Sequence, residues 1–229
     1  MGMTQTYVLV PGAGGDSFYW HLVVPLLREA GHEVLAPDLP AADDGAGLAE
    51  YADAIVACAG ERTGVVLVAQ SMGAFSAPLA CDRLDVARIV LVAPMIPAPG
   101  ESAGEWWSAV GQGDAARDLA LVEGRDPDAP FDLHEIFLHD VPQAVTDALL
   151  ARGEPVQSDT PFVEPWPLAA WPDVPTQVLA GRHDRLIPPD LQRRLAVERL
   201  GVAADVVDSG HLPALSVPGE LAGKLLAGT

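Results

Sequence analysis

Short runs of nearly unbroken apolar residues recur along the chain, each closed by turn-forming residues. They are Tyr7-Val8-Leu9-Val10, Val65-Val66-Leu67-Val68-Ala69, Arg88-Ile89-Val90-Leu91-Val92-Ala93 and Thr176-Gln177-Val178-Leu179-Ala180. Runs of this length with β-branched residues and no polar alternation predict strands buried on both faces. His32 to Pro37 and the surroundings of Val206-Val207 predict two further strands. Between them the apolar spacing turns helical. Leu22, Val23, Leu26 and Leu27 predict a helix from about Trp20 that Gly31 ends, and an Ala-rich helix is expected over Leu48 to Ala59. Another helix is expected after Ser71, one running to Leu200, and a last one from Leu215 to Leu226. Strands alternating with helices predict an α/β protein: a mostly parallel sheet with helices on both faces.

The alternation stops after Pro94 and resumes near Asp173. Residues 95–172 are Pro-rich and patchily helical, and they are expected to form a cap insertion on a core built from residues 1–94 and 173–229. This segment holds four of the five tryptophans, Trp106, Trp107, Trp166 and Trp171, and the phenylalanines Phe131, Phe137 and Phe162. It also carries fourteen acidic residues against Arg117, Arg125 and Arg152. An apolar interior under an acidic exterior suits a lid over an uncharged small molecule.

Charge narrows the function classes. Thirteen basic against thirty-two acidic residues leave a net charge of −19, which repels phosphate backbones and anionic bilayers. Neither nucleic acid nor membrane is an expected partner, and no apolar run approaches the ~20 residues of a membrane span. Cys58 and Cys81 lack metal-ligand spacing and are expected to be reduced, mostly buried thiols. With a strand starting almost at the N-terminus, the expected location is cytoplasmic. Met1 to Thr6 formally fits a myristoylation pattern, but no basic cluster follows it.

Candidate chemistry sits at strand ends. Ala69-Gln70-Ser71-Met72-Gly73 closes a strand and opens a helix, the setting in which a sharp turn exposes a nucleophilic serine. Such a serine needs a base to take its proton and a carboxylate to orient that base, in chain order serine, acid, histidine. Asp184 follows the strand ending at Ala180, and His211 follows the strand around Val207. Asp205 and Asp208 are rival acids because they lie near His211; Asp184 is preferred for its place after a strand. His183 is a rival base in the wrong order, and His21 and His32 are expected to make local hydrogen bonds. His134 and His139 lack the i, i+4 spacing of zinc ligands, so no metal is expected.

An acyl-transfer intermediate also needs two backbone donors, one after the nucleophile and one after the first strand. Met72 and Ala13 occupy those positions. Pro11-Gly12-Ala13-Gly14-Gly15 lacks the phosphate-loop lysine and the dinucleotide glycine spacing, so no nucleotide cofactor is implied. Gly12, Trp106, Trp107 and Leu212 are the candidate substrate contacts.

These residues together resemble the α/β-hydrolase superfamily from Tyr7 to the final helix. Val8 to Gly14, Trp20-His21, Val24 to Leu27, Ala30-Gly31-His32 and Asp38-Leu39 look like the start of its plant methylesterase and hydroxynitrile lyase branch. The resemblance implies the α/β-hydrolase fold, Ser71, Asp184 and His211 as a triad, and Ala13 with Met72 as the oxyanion hole. Pro11 and Gln70 depart from it, standing where histidines are usual. In the lyases a lysine follows the catalytic histidine; here Leu212 stands there, which favours ester, thioester or lactone hydrolysis over cyanohydrin cleavage. Lyase or other C–C chemistry and a non-catalytic ligand-binding role are the alternatives, the last because fold does not determine function.

Overall fold

A computed structural model describes residues 4–228. Met1, Gly2 and Met3 of the Met1–Thr6 acylation pattern therefore lie outside the described residues. Six strands form a single sheet: β1 (Thr6–Val10), β2 (Glu33–Leu35), β3 (Val65–Gln70), β4 (Val86–Val92), β5 (Thr176–Gly181) and β6 (Ala204–Val207). Their order across the sheet is β2-β1-β3-β4-β5-β6, with every neighbouring pair parallel. The chain reverses its direction of travel between β1 and β3, and open α/β sheets place their ligand crevice at the carboxyl ends flanking such a reversal.

Period-2 alternation divides each strand between two cores. Val8, Val10, Leu67, Ala69, Ile89, Leu91 and Val178 face one side. There they pack against α2 (Leu48–Ala59), α3 (Gly73–Ser76) and α8 (Pro189–Leu200) through Ile55, Phe75, Leu191 and Leu195. Tyr7, Leu9, Val66, Val68, Val90, Val92 and Leu179 face the other. They meet α1 (Val23–Glu29) and α10 (Pro218–Ala227) through Val23, Leu27, Leu221 and Leu225. Both faces are covered, which is why the strands read as continuous apolar runs.

Several helices differ in extent from the sequence pattern, and prolines account for most of it. The first helical segment splits into a 3₁₀ turn, Ser17–Trp20, and α1. The helix after Ser71 lasts one turn before a 3₁₀ turn, Ala77–Ala80, takes over at Pro78, whose missing N–H breaks the α-helical ladder. The terminal helix is two pieces, α9 (Pro213–Ser216) and α10. Val217, which precedes Pro218, leaves the helical region at φ −136°, ψ 55°, and a residue before proline is disfavoured from helical geometry.

Residues 95–172 contribute α4 (Ala103–Ala109), α5 (Gln112–Val122), a π-helical turn (His134–Leu138), α6 (Gln143–Leu150) and α7 (Thr160–Val163). Ser102 caps α4 reciprocally with Glu105, each side chain bonding the other's backbone N–H. Trp106 and Trp166 sink into the sheet's own core, so the segment packs continuously with it. No helix among the described residues is long and apolar enough to cross a membrane.

Candidate active site

The turn after β3 carries the first candidate group. Ser71 adopts φ +51°, a conformation sparsely populated by non-glycine residues, and the strain is held by neighbouring backbone. Its N–H donates to the Val92 carbonyl at 3.0 Å, and its own carbonyl accepts from Met95 N–H at 3.1 Å. Gly73 is required by close approach: a Cβ there would lie 2.8 Å from the Pro11 carbonyl oxygen. The two loops at the sheet reversal are thus locked together at van der Waals distance.

His211 and Asp184 arrive from the loops after β6 and β5. Ser71 Oγ lies 3.0 Å from His211 Nε2, and His211 Nδ1 lies 2.8 Å from Asp184 Oδ2. A carboxylate can only accept, so Nδ1 carries the ring proton and Nε2 is left bare to accept from the serine hydroxyl. Asp184 is fully buried. Its other contacts are the N–H groups of Leu186 and Ile187, each at 2.9 Å to Oδ1, and Gln192 Nε2 at 2.8 Å to Oδ2. Four donors on one carboxylate offset the cost of burying its charge. The rival residues are elsewhere: Asp208 pairs with Arg182 and His183 at the surface, and Asp205 accepts from Gln177.

A cavity of about 280 Å³ opens over this line of hydrogen bonds. Ala13, Met72, Ser71 and His211 form its floor, and Met95, Trp107, Phe162, Leu186, Phe137 and Leu212 are among its walls, with Phe131 at the rim. None of its lining residues carries a fixed charge. Among the described residues, the backbone N–H groups of Ala13 and Met72 donate to no acceptor, and both residues border the cavity beside Ser71. A larger hollow, about 370 Å³, lies by Arg88, Thr176 and Lys224, and contains no nucleophile–base pair.

Two of the four expected substrate contacts are placed otherwise. Trp106 is wholly buried and donates Nε1 to the Ile96 carbonyl at 2.9 Å, so it is a core residue that supports the ring of Trp107 edge-on. Gly12 lies beneath the cavity floor; a Cβ there would collide with Gln70 Oε1 and lie 3.1 Å from Ser71 Cβ, so its lack of a side chain makes room for the turn. Trp107 and Leu212 do line the cavity. Trp166, from the same segment, is buried and donates Nε1 to the Phe75 carbonyl.

Other residues complete the site without having been assigned a role in it from the sequence. Gln192 orients Asp184, Gln70 donates Nε2 to the His211 carbonyl at 3.2 Å, and Phe137 stands edge-on to the His211 ring at 5.3 Å between centroids. Asp140 Oδ2 accepts from Gly210 N–H at 2.5 Å, directly before His211. Only Gln70, inside the elbow, had a local motif to mark it. Cys58 and Cys81 are free thiols, each largely covered but not fully buried, and burial pushes the Cys81 pKa up to about 12.

The parallel sheet, the strained serine turn and the apolar cavity over it define an α/β-hydrolase-type protein. The model of the alpha/beta hydrolase family matches residues 7–224, and the chain belongs to that family. It is 39% identical over 112 residues to the probable esterase PIR7A of Oryza sativa subsp. indica, covering 43% of this chain and 42% of that protein. Methyl jasmonate esterase 1 of Vitis vinifera is 34% identical over 107 residues, covering 41% of this chain and 40% of that protein. The chain thus spans about two fifths of the length of these curated relatives. A longer match, 29% identical over 253 positions, covers 96% of this chain and 86% of the pyrethroid hydrolase of Sphingobium wenxiniae. Among solved structures, polyneuridine aldehyde esterase superposes with a TM-score of 0.76 at 21% identity, covering 98% and 99% of the two chains. At that identity the likeness speaks for the fold.

Proposed function

We propose that the protein is a serine hydrolase that cleaves a small, largely apolar carboxylic ester, thioester or lactone through an acyl-enzyme. The observation that carries this reading is the unbroken hydrogen-bond line Ser71–His211–Asp184 beneath an uncharged cavity. Ser71 Oγ attacks the carbonyl carbon while His211 Nε2 takes its proton, and Asp184 stabilises the imidazolium and holds its tautomer. The developing oxyanion is met by the N–H groups of Ala13 and Met72. His211 then passes the proton to the leaving alcohol, and water, activated by the same imidazole, releases the acid. The relatives named as esterases and as a pyrethroid hydrolase support ester substrates. Leu212 next to the base offers no cation to a cyanide leaving group. No cofactor enters any step.

Hydrolysis of p-nitrophenyl esters from acetate to octanoate tests this on wild type and Ser71→Ala side by side. The expected outcome is turnover that peaks at one chain length and falls by at least about 10³-fold in the variant, by analogy with the loss of a triad member. Equal turnover in both proteins would remove Ser71 from the reaction.

A further inference from the structure

The loop that carries Ala13 is not held by the sheet alone. Gly14, the next residue, donates its N–H at 2.8 Å to Gln157 Oε1, a side chain 143 residues further along. Gln157 lies between α6 and α7, and its amide is used on both sides. Nε2 donates to the Tyr51 hydroxyl on α2 at 3.0 Å and to the Ser158 carbonyl at 2.9 Å. Because a backbone N–H can only donate, the amide oxygen must face Gly14, and Tyr51 then receives the nitrogen. The neighbouring residues are equally well fixed. Ser158 N–H donates to the Ala41 carbonyl at 2.7 Å, and Gly14 at φ +88° approaches Pro155 so closely that a Cβ would lie 2.9 Å from Pro155 Cβ.

On the other side, among the described residues, the loop has its own turn, Gly15 N–H to the Gly12 carbonyl at 3.1 Å, and the bond from Leu39 N–H to the Gly15 carbonyl at 2.9 Å. Gln157 does not border the cavity, so it does not touch a bound substrate. We propose that Gln157 is a positioning residue: by accepting from Gly14 it fixes the direction in which the adjacent Ala13 N–H points into the cavity. This rests on the reading of Ala13 and Met72 as oxyanion donors. A donor aimed at the oxyanion acts mainly when charge has developed, so a loosened loop weakens the transition state more than substrate binding.

Fluorophosphonate labelling tests this without requiring the natural substrate, since phosphonylation of Ser71 also develops charge on an oxygen in the hole. The proteins are wild type, Ser71→Ala, Gln157→Met, which fills similar space without the amide acceptor, and Gln157→Glu, which keeps an acceptor. Thermal melting of each is recorded. Gln157→Met is expected to lower the maximal labelling rate about 10- to 100-fold, less than the ~10²–10³ of deleting a donor outright. The half-saturating probe concentration should stay within about twofold, and Gln157→Glu should recover most of the rate. If Gln157→Met does not fold, Gln157→Ala replaces it. Wild-type labelling by a folded Gln157→Met, or equal losses in Met and Glu variants that follow a lowered melting temperature, would overturn the positioning role while leaving the triad standing. Labelling of Ser71→Ala at the wild-type rate, or no labelling of the wild type, would overturn the hydrolase reading and this inference with it.

Discussion

At the residue scale, the side chain in the most unusual setting is His139. Both of its ring nitrogens are buried with no hydrogen-bond partner among the described residues, and its ring presses on Gly210, where a Cβ would meet His139 Cε1 at 2.8 Å. Burial, reinforced by Arg185, holds its pKa below the ordinary imidazole value, against the opposing pull of Asp140, Glu123 and Asp184. A folded-state pKa lower than the unfolded one means that the unfolded chain binds the proton first. Stability is therefore fully present above about pH 6.5 and is lost as pH falls from there through the depressed folded value. Melting curves at pH 7.5 and 5.5 should show a smaller acid-induced drop for His139→Gln than for wild type. Identical drops would assign the acid sensitivity to other groups.

At the element scale, the turn between β3 and α3 depends on one close approach. Gly73→Ala would place its Cβ 2.8 Å from the Pro11 oxygen, which is backbone and cannot swing away. Overpacking of this kind costs about 1–3 kcal/mol, and at about 2–4 °C per kcal/mol for a chain of this size a fall in melting temperature should be plain. The displaced Pro11 carbonyl would also carry the Ala13 loop with it, so labelling by fluorophosphonate should slow as well. A variant that melts and labels like wild type would show that the two loops can separate freely. Elements differ in how far they could be read without coordinates. The strands were legible because burial on both faces writes itself as unbroken apolar runs, and the positions of Asp184 and His211 followed because loops after parallel strands share one edge. Trp106 and Trp107 were not separable. They are adjacent in a helix, about 100° apart around its axis, and only the packing of α4 decides that the first faces the core and the second the cavity. Gln192, Asp140 and Gln157 were illegible for a related reason: each acts through a partner chosen by tertiary contact, and a lone polar residue in a helix or loop carries no periodicity that points to it.

Across the whole molecule, charge and cavity are arranged oppositely. The cavity walls carry no fixed charge, whereas the chain carries −19. The three arginines of residues 95–172 do little to relieve this around the entrance, because each is already engaged. Arg117 pairs with Asp128, Arg125 with Glu123 and Glu135, and Arg152 with Asp16. An approaching anion therefore meets a field of one sign with no free cation in that segment among the described residues. The effect belongs to approach and entry, and it should be strongest where the Debye length is long, ~30 Å at 0.01 M salt against ~8 Å at 0.15 M. Two p-nitrophenyl esters of matched length, one ending in a methyl group and one in a carboxylate, provide the comparison. The neutral ester should be preferred in kcat/KM at 0.01 M salt, and the preference should narrow by several-fold at 0.15 M and above as the field is screened. The part of the preference that survives screening measures the cost of carrying a carboxylate into the uncharged cavity itself. A ratio independent of salt would assign all discrimination to that desolvation and leave the acidic surface with no part in substrate choice.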